Sequence, residues 1–570
     1  MRIVPALLAT LTLQGYAFAQ VATNPSAVDY MYVNGRQVPL TVVPDAPFYR
    51  IHSDARVAAT ESAQADLQRV MDVREVRPGA AQLAIRRTAD SAVAARQAIS
   101  RYTRIQEADQ LRVFTAGRGT TLLIEYPEII LQCDERVTLE EVQRYLRQHY
   151  QVTVVPTGLR QGQFLVRVVT PSHTLWLANQ LRSTTAIPVR YADVNFFFAR
   201  PSGSNPPRFL TRWPALSPTP PTNDPGFAEQ WALENRAALP GALRGADMGF
   251  ARAYRIAPLD ATGTKIAVLD YAIDVNHPEL KSAIDSVFNA TRYDPDKGFD
   301  DPALRELDFD EQPEAQADHG TAAAGIIAAL SGNGVGVSGV APGAKIVAIQ
   351  ISRPSDSDLE MVNGLAVAAA FQAADRAGAH VVSLSWGLQF PDPEAYPSIR
   401  AEIDALGRGR GNKGILVVSA AGNDTIDIPD PDFPADYAGR ASNVIAAGAS
   451  NWCGRRKRAG QCDEERWSSR FGAQTLFAPG VDILTTTNQR DRNAANALTN
   501  YRANFNGTSA ATPFVAAAAA LVLKQHPTWT ADQVRTHLIQ TAATLTAGGD
   551  ARLDVCNALY GASRCALTGP

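Results

Sequence analysis

Five apolar runs in the second half of the chain limit the fold more than any other feature: KIAVLD at 265–270, KIVAIQI at 345–351, HVVSLSW at 380–386, ILVVSAAG at 415–422 and NVIAAGAS at 443–450. None alternates polar with apolar residues, as a strand with one wet face would, so each is expected to be a strand buried on both faces. Helical stretches fall between them, at 321–330, 358–376 and 396–406. This alternation predicts an α/β domain with a mostly parallel sheet flanked by helices. Ligands of such sheets collect at the carboxyl ends of the strands, so functional residues are sought just after each run.

Three chemically capable groups stand in such places. Asp270 closes the first run, and His319 opens the helical ADHGTAAAGIIAAL beside Gly320, which allows a close approach. Ser509 lies in NFNGTSAATPFVAAAAALVLK at 504–524, where a turn of small residues runs into an Ala-rich helix. A helix N-terminus offers unpaired N–H groups and a positive dipole end, which favour developing negative charge. Gly507, Ala510 and Ala511 leave room for a substrate, and Pro513 is expected in the first turn, where no backbone donor is needed. A serine hydroxyl is a poor nucleophile until a base takes its proton, and the base needs a third group to fix its tautomer. Asp, His, Ser is a known chain order for such a triad. Asn423, in VVSAAGND, follows another buried run and carries an amide that can donate to an oxyanion together with the Ser509 backbone N–H.

With these motifs, residues 223–554 resemble the subtilisin-type serine peptidases, or subtilases. IAVLDYAIDVNHPEL is similar to the family's aspartate motif, HGTAAAGIIAA to its histidine motif and GTSAATPFVAAAAALV to its serine motif, with GVSGVAPGAKIVAIQI and VVSAAGN as further family stretches. The resemblance implies a triad of Asp270, His319 and Ser509 with Asn423 as oxyanion donor. A donor of that kind is worth about 3 kcal/mol, a magnitude drawn from subtilisin itself. It implies a substrate groove along Ser385, Trp386 and Gly387 on one side and Ala420, Ala421 and Gly422 on the other, pairing with an extended peptide as added strands. Trp386 stands where a smaller aliphatic residue is common, either as a wall for substrate side chains or as core. Tyr271-Ala272 departs from the usual Ser or Thr then Gly after the aspartate, and Ala510-Ala511 replaces Met-Ala. Catalysis in the family needs no cofactor. NDPGFAEQWAL resembles the start of many subtilase domains, and the positions matching a shared structural calcium are Asp224, Glu279 and Asn333, oxygen ligands of the right kind.

The rest of the chain reads as a precursor. Residues 1–19 have the form of a secretory signal, with Arg2, a short apolar run and Ala17-Phe18-Ala19 before Gln20. Residues 20–110 form a leading module, opening on a strand-like stretch with a hairpin turn at Asn34-Gly35 and continuing with weak helical character. Residues 111–200 alternate strand and helix as in a small α+β unit of the split-βαβ kind, with Thr138 as a helix cap; the resemblance makes it a propeptide that assists folding and acts as an intramolecular inhibitor. Residues 201–222 are a Pro/Ser-rich linker holding the expected maturation site, and 223–570 the peptidase domain. No run is long enough to span a bilayer. A net charge of −3 over 570 residues points to neither nucleic acid nor an anionic membrane. Cys453 is expected to pair with Cys462 and Cys556 with Cys565, each closing a short loop, while Cys133 is left over. The RRKR run at 455–458 has the look of a processing site, but it lies inside the first loop, so an exposed structural loop is the expected reading. The acidic segment 294–318 either favours basic substrates, holds a cation, or is a solvated loop.

The expectation is a secreted (extracellular or periplasmic) serine endopeptidase acting on proteins or peptides. The rivals are a non-catalytic subtilase-like peptide-binding protein, with Tyr271 blocking productive geometry, and an α/β-hydrolase esterase. The second is disfavoured because the serine lies in GTSA rather than GxSxG and the order of partners is wrong.

Overall fold

The computed structural model describes residues 29–33, 36–43, 48–51, 71–75, 82–86, 108–116, 121–169, 173–201, 221–308, 318–353, 359–389, 396–463, 465–472, 474–488, 498–546 and 548–567. The signal-like segment, the Asn34-Gly35 turn, nearly all of the linker, and Asp310, Glu311 and Glu314 lie outside them. Asp29–Val33 and Arg36–Val42 pair antiparallel. Met71–Glu75 and Gln82–Arg86, where composition suggested weak helix, are instead antiparallel strands, and the second pairs with Phe48–Ile51. Cross-strand partners outside the local window decide that state.

Next comes the small α+β unit: β1 (Glu128–Cys133), α1 (Leu139–His149), β2 (Val152–Pro156), β3 (Gln163–Val168), α2 (Thr174–Ser183) and β4 (Val189–Val194). Its antiparallel sheet runs β2-β3-β1-β4, the order of a split-βαβ fold. Thr138 and Glu141 form a reciprocal capping box that starts α1. The chain leaves through β5 (Phe197–Pro201).

The larger body contains β6 (Lys265–Asp270), β7 (Ile284–Asn289), α3 (His319–Ala328), β8 (Lys345–Gln350), β9 (Leu359–Asn363), α4 (Gly364–Arg376), β10 (Val381–Leu384), α5 (Pro397–Leu406), β11 (Leu416–Ala420), β12 (Val444–Ser450), β13 (Thr475–Pro479), β14 (Ile483–Thr486), β15 (Tyr501–Phe505) and α6 (Thr508–Gln525). Seven of these strands form a parallel sheet ordered β7-β8-β6-β10-β11-β12-β13. Alternate residues of β6 face opposite layers. Ile266 and Val268 join the core built with α3 and α6, while Ala267 and Leu269 join the one built with α4 and α5. The small side chains of α6 let that helix lie close against the sheet, and Ala516 to Ala520 are all buried.

One expected element splits in two. Residues 359–363 are not the first turns of a helix but strand β9, which pairs antiparallel with β5 from Phe197↔Asn363 to Pro201↔Leu359. Asn363 then starts α4 by accepting from the N–H groups of Leu365 and Ala366. The α+β unit sits on α4 and α5: Ile130, Leu165 and Tyr191 pack against Leu365, Ala368 and Ala369. Its polar groups meet helix starts, Asp193 accepting from Ser398 N at 2.8 Å and Asn195 from Leu365 N at 3.0 Å. Arg160 forms an ion pair with Glu402, whose side chain is 1% exposed.

Candidate active site

β6, α3 and the start of α6 bring the first three candidates to one end of the parallel sheet. Asp270 ends its strand buried, and its Oδ1 lies 2.7 Å from His319 Nδ1, so the ring N–H on that side is donated to the carboxylate. The same oxygen accepts the Tyr271 N–H at 2.8 Å, and Oδ2 is buried without a hydrogen-bond partner. The bond leaves the other ring nitrogen facing away from the carboxylate, as a general base requires. Gly320 is required here: a Cβ on it would stand 2.5 Å from the Tyr271 carbonyl oxygen. Tyr271 is buried and its ring meets His319 edge-on at 6.0 Å, alongside the His–Asp bond rather than between the two groups.

Ser509 occupies the first turn of α6, and its Oγ donates to the Ser385 carbonyl at 3.3 Å. Gly507 precedes the helix with φ of +110°, a conformation that favours glycine. Pro513 lies beyond the first turn, contrary to expectation, and cannot donate to the carbonyl of Ser509. The Ser385 hydroxyl fills that place, donating to Ser509 O at 2.9 Å. Asn423 is aimed by its neighbours: its Oδ1 accepts from Thr508 N at 3.0 Å and from Thr508 Oγ1 at 3.2 Å. That turns the amide nitrogen toward the serine turn, where a Cβ on Gly507 would lie 3.1 Å from Asn423 Nδ2 and 3.5 Å from Ser509 N. Two N–H donors thus flank one small space beside Ser509.

The two segments expected to form the groove lie on either side of Asp432. A Cβ on Gly387 would be 3.0 Å from Asp432 Cβ, and one on Gly422 would be 2.2 Å from Asp432 Oδ2. Asp432 in turn pairs with Arg470, which also binds Asp424. Neither Asp432 nor Arg470 stood out in the sequence, because nothing local marks a carboxylate that acts between two distant loops. Ser385, Ala420 and Ala421 are buried backbone-forming positions. Trp386, left open between wall and core, is core: it is 3% exposed and its ring lies 6.4 Å from Phe198 of β5.

The three residues matched to calcium do meet, but they do not fit a cation. Asp224 is surrounded by donors, its carboxylate accepting from the N–H groups of Gly332, Asn333 and Gly334 and from the Ser338 hydroxyl. Glu279 accepts from Val337 N, Asn333 Nδ2 and Tyr501 OH at 3.1, 3.1 and 3.2 Å. A cation site needs lone pairs converging on one point. Here the lone pairs point at N–H and O–H groups, and the Tyr501 hydroxyl lies against the loop, 2.2 Å from where a Gly336 Cβ would stand. Burial pushes the Glu279 carboxyl up to about 8.

The remaining candidates fall outside the site. Cys453–Cys462 and Cys556–Cys565 are bonded, and the thiol of buried Cys133 is pushed up by desolvation to about 11, far from a reactive thiolate. The RRKR run is built into the structure: Lys457 is fully buried on Asp463 and the Glu465 carbonyl. In the acidic segment, Asp294 and Asp296 face Arg167 of the α+β unit and Asp308 pairs with Arg292. No helix among the described residues is long and apolar enough to cross a membrane.

The profile of the Subtilase family (peptidase family S8) matches residues 261–561. Subtilisin Savinase of Lederbergia lenta is 32% identical over 288 residues, covering 50% of this chain and 86% of that protein. A calcium-dependent protease of Nostoc sp. is 31% identical over 333 residues, covering 54% of this chain and 45% of that protein. Among solved structures, fervidolysin from Fervidobacterium pennivorans, a keratinolytic enzyme related to subtilisin, aligns with a TM-score of 0.50 at 20% identity, covering 76% of this chain and 61% of that one.

Proposed function

Since the chain belongs to the subtilase family, we propose that it is a secreted serine endopeptidase, made as a precursor and processed by its own active site. The observation that carries the reading is the 2.7 Å bond between His319 Nδ1 and Asp270 Oδ1 at the end of the sheet where Ser509 begins its helix. Ser509 Oγ attacks the peptide carbonyl carbon while His319 takes its proton. Asp270 orients the ring and stabilises the imidazolium. The Ser509 N–H and the Asn423 amide receive the oxyanion, His319 returns the proton to the departing amine, and water then opens the acyl-enzyme by the same route in reverse. No cofactor takes part in these steps.

Ser385, Gly387, Ala420, Ala421 and Gly422 supply the edges for an extended peptide, with Asp432 between them. The α+β unit 111–200 acts as the intramolecular inhibitor. Its seat on α4 and α5, and the pairing of β5 with β9, support that role. The segment 1–19 directs export, outside the cell or to the periplasm, and the linker 201–222 holds the maturation site.

A fluorophosphonate probe should label Ser509, and Ser509→Ala should abolish both peptide hydrolysis and maturation while the protein stays folded. Failure of the parent protein to label would favour a peptide-binding protein without catalysis. Maturation of purified Ser509→Ala would exclude self-processing.

A further inference from the structure

Asp318 precedes α3 directly and so reads as a helix cap, yet its side chain caps no helix N–H. The carboxylate turns instead into the core. Oδ1 accepts from Arg502 Nη1 at 2.8 Å, and Oδ2 accepts the Thr487 hydroxyl. Both partners of the ion pair are buried, Asp318 at 5% and Arg502 at 3% side-chain exposure. Arg502 belongs to β15, the strand that feeds the Ser509 turn. Its guanidinium carbon lies 5.3 Å from the centroid of the Phe505 ring, and that ring meets His319 edge-on at 5.0 Å.

We propose that Asp318 and Arg502 are positioning residues for the peptidase reaction, a buried pair that fastens the segment carrying His319 to the strand leading to Ser509. The inference rests on the peptidase reading above. A row of hydroxyls runs beside the pair, with Thr485 donating to Ala322 O at 2.9 Å and Thr486 to Thr321 O at 2.8 Å. There is little slack between the pieces: a Cβ on Gly325 would lie 2.1 Å from Thr486 Oγ1. These contacts set where the start of α3 rests on the antiparallel β14–β15 pair. The ion pair is the part that reaches toward Phe505 and, through it, the imidazole.

A buried ion pair is weak evidence of stability, since two apolar residues often do as well, and holding segments in register is its better attested use. With Arg502 attached the pair is neutral, and its effect is geometric.

The test uses the matured protein with four substitutions: Arg502→Met, Arg502→Lys, Asp318→Asn, and the double Asp318→Asn/Arg502→Met. For each, kcat and KM on a peptide substrate, the rate of fluorophosphonate labelling at Ser509, and Tm are measured. Displacement of a catalytic group by about 1 Å costs on the order of 100-fold. Arg502→Met is therefore expected to lower kcat and the labelling rate about 30- to 100-fold, with KM within about twofold. Arg502→Lys should restore part of that loss. The double variant, which buries no unpaired charge, should regain Tm without regaining kcat, and its kcat decides the question if a single variant does not fold. A lower Tm with kcat within about twofold of the parent, or a loss confined to KM, overturns the proposal. A parent that does not label overturns the peptidase reading instead.

Discussion

Arg160→Ala should weaken the hold of the α+β unit on the peptidase body by a calculable amount. Arg160 Nε and Nη2 grip the two carboxylate oxygens of Glu402, and Nη2 also donates to the Ala401 carbonyl at 2.5 Å. Glu402 is 1% exposed, and burial pushes its carboxyl up against the opposing pull of Arg160. Breaking a buried pair by removing one partner costs about 3–5 kcal/mol. Two features reduce that figure. Arg160 keeps 21% of its side chain in solvent, and Gln372 still donates to Glu402 at 2.6 Å. An expected loss of about 2–3 kcal/mol corresponds to roughly 30- to 160-fold in an inhibition constant. The assay titrates the matured protease with the cleaved unit, parent or Arg160→Ala, against a peptide substrate. An unchanged inhibition constant would mean that the unit does not inhibit from this seat.

Three further outcomes are expected. Asn423→Ala should lower kcat by about 100- to 1000-fold with Ser509 still labelled by the probe, as for other oxyanion donors; a change under about threefold would remove Asn423 from that role. Calorimetry with and without EDTA should give the same Tm, because donors already occupy Asp224 and Glu279, whereas Tyr501→Phe, which removes one donor from Glu279, should cost about 1 kcal/mol; a large EDTA shift would restore the cation. Burial beside Asp430 and Asp432 pushes the Asp436 carboxyl up to about 7, so the folded protein keeps a proton that the unfolded chain releases near pH 4. That stability is complete below about pH 4 and is lost as pH rises through 7. Discounted for partial exposure, it is about 2 kcal/mol, so Asp436→Asn should be more stable than the parent by that amount at pH 8 and equal to it at pH 4, and parallel denaturation curves across that range would refute the assignment.

The α/β body was legible because its strands are buried on both faces and so carry unbroken apolar runs, as at KIAVLD and NVIAAGAS. Asp270 and Asn423 could be singled out for a related reason, since each follows such a run, and His319 and Ser509 because each opens an apolar helix. Local chemistry was readable as well, as the Thr138 capping box shows. Residues whose state depends on a distant partner were not. LEMVN at 359–363 has helix neighbours on one side and becomes a strand because β5 lies beside it. Nothing near Asp318 tells a capping aspartate from one paired with Arg502, and nothing near Glu279 tells a calcium ligand from the acceptor of a tyrosine hydroxyl.

The amino-acid order by itself therefore determined the layers, the sheet and the places where chemistry can occur, since these follow from short-range periodicity and from turns a few residues long. Only the tertiary structure decided what each carboxylate faces, which way the Asn423 amide points and whether Trp386 is wall or core. Those outcomes depend on desolvation and on partners brought from far along the chain, which periodicity does not encode.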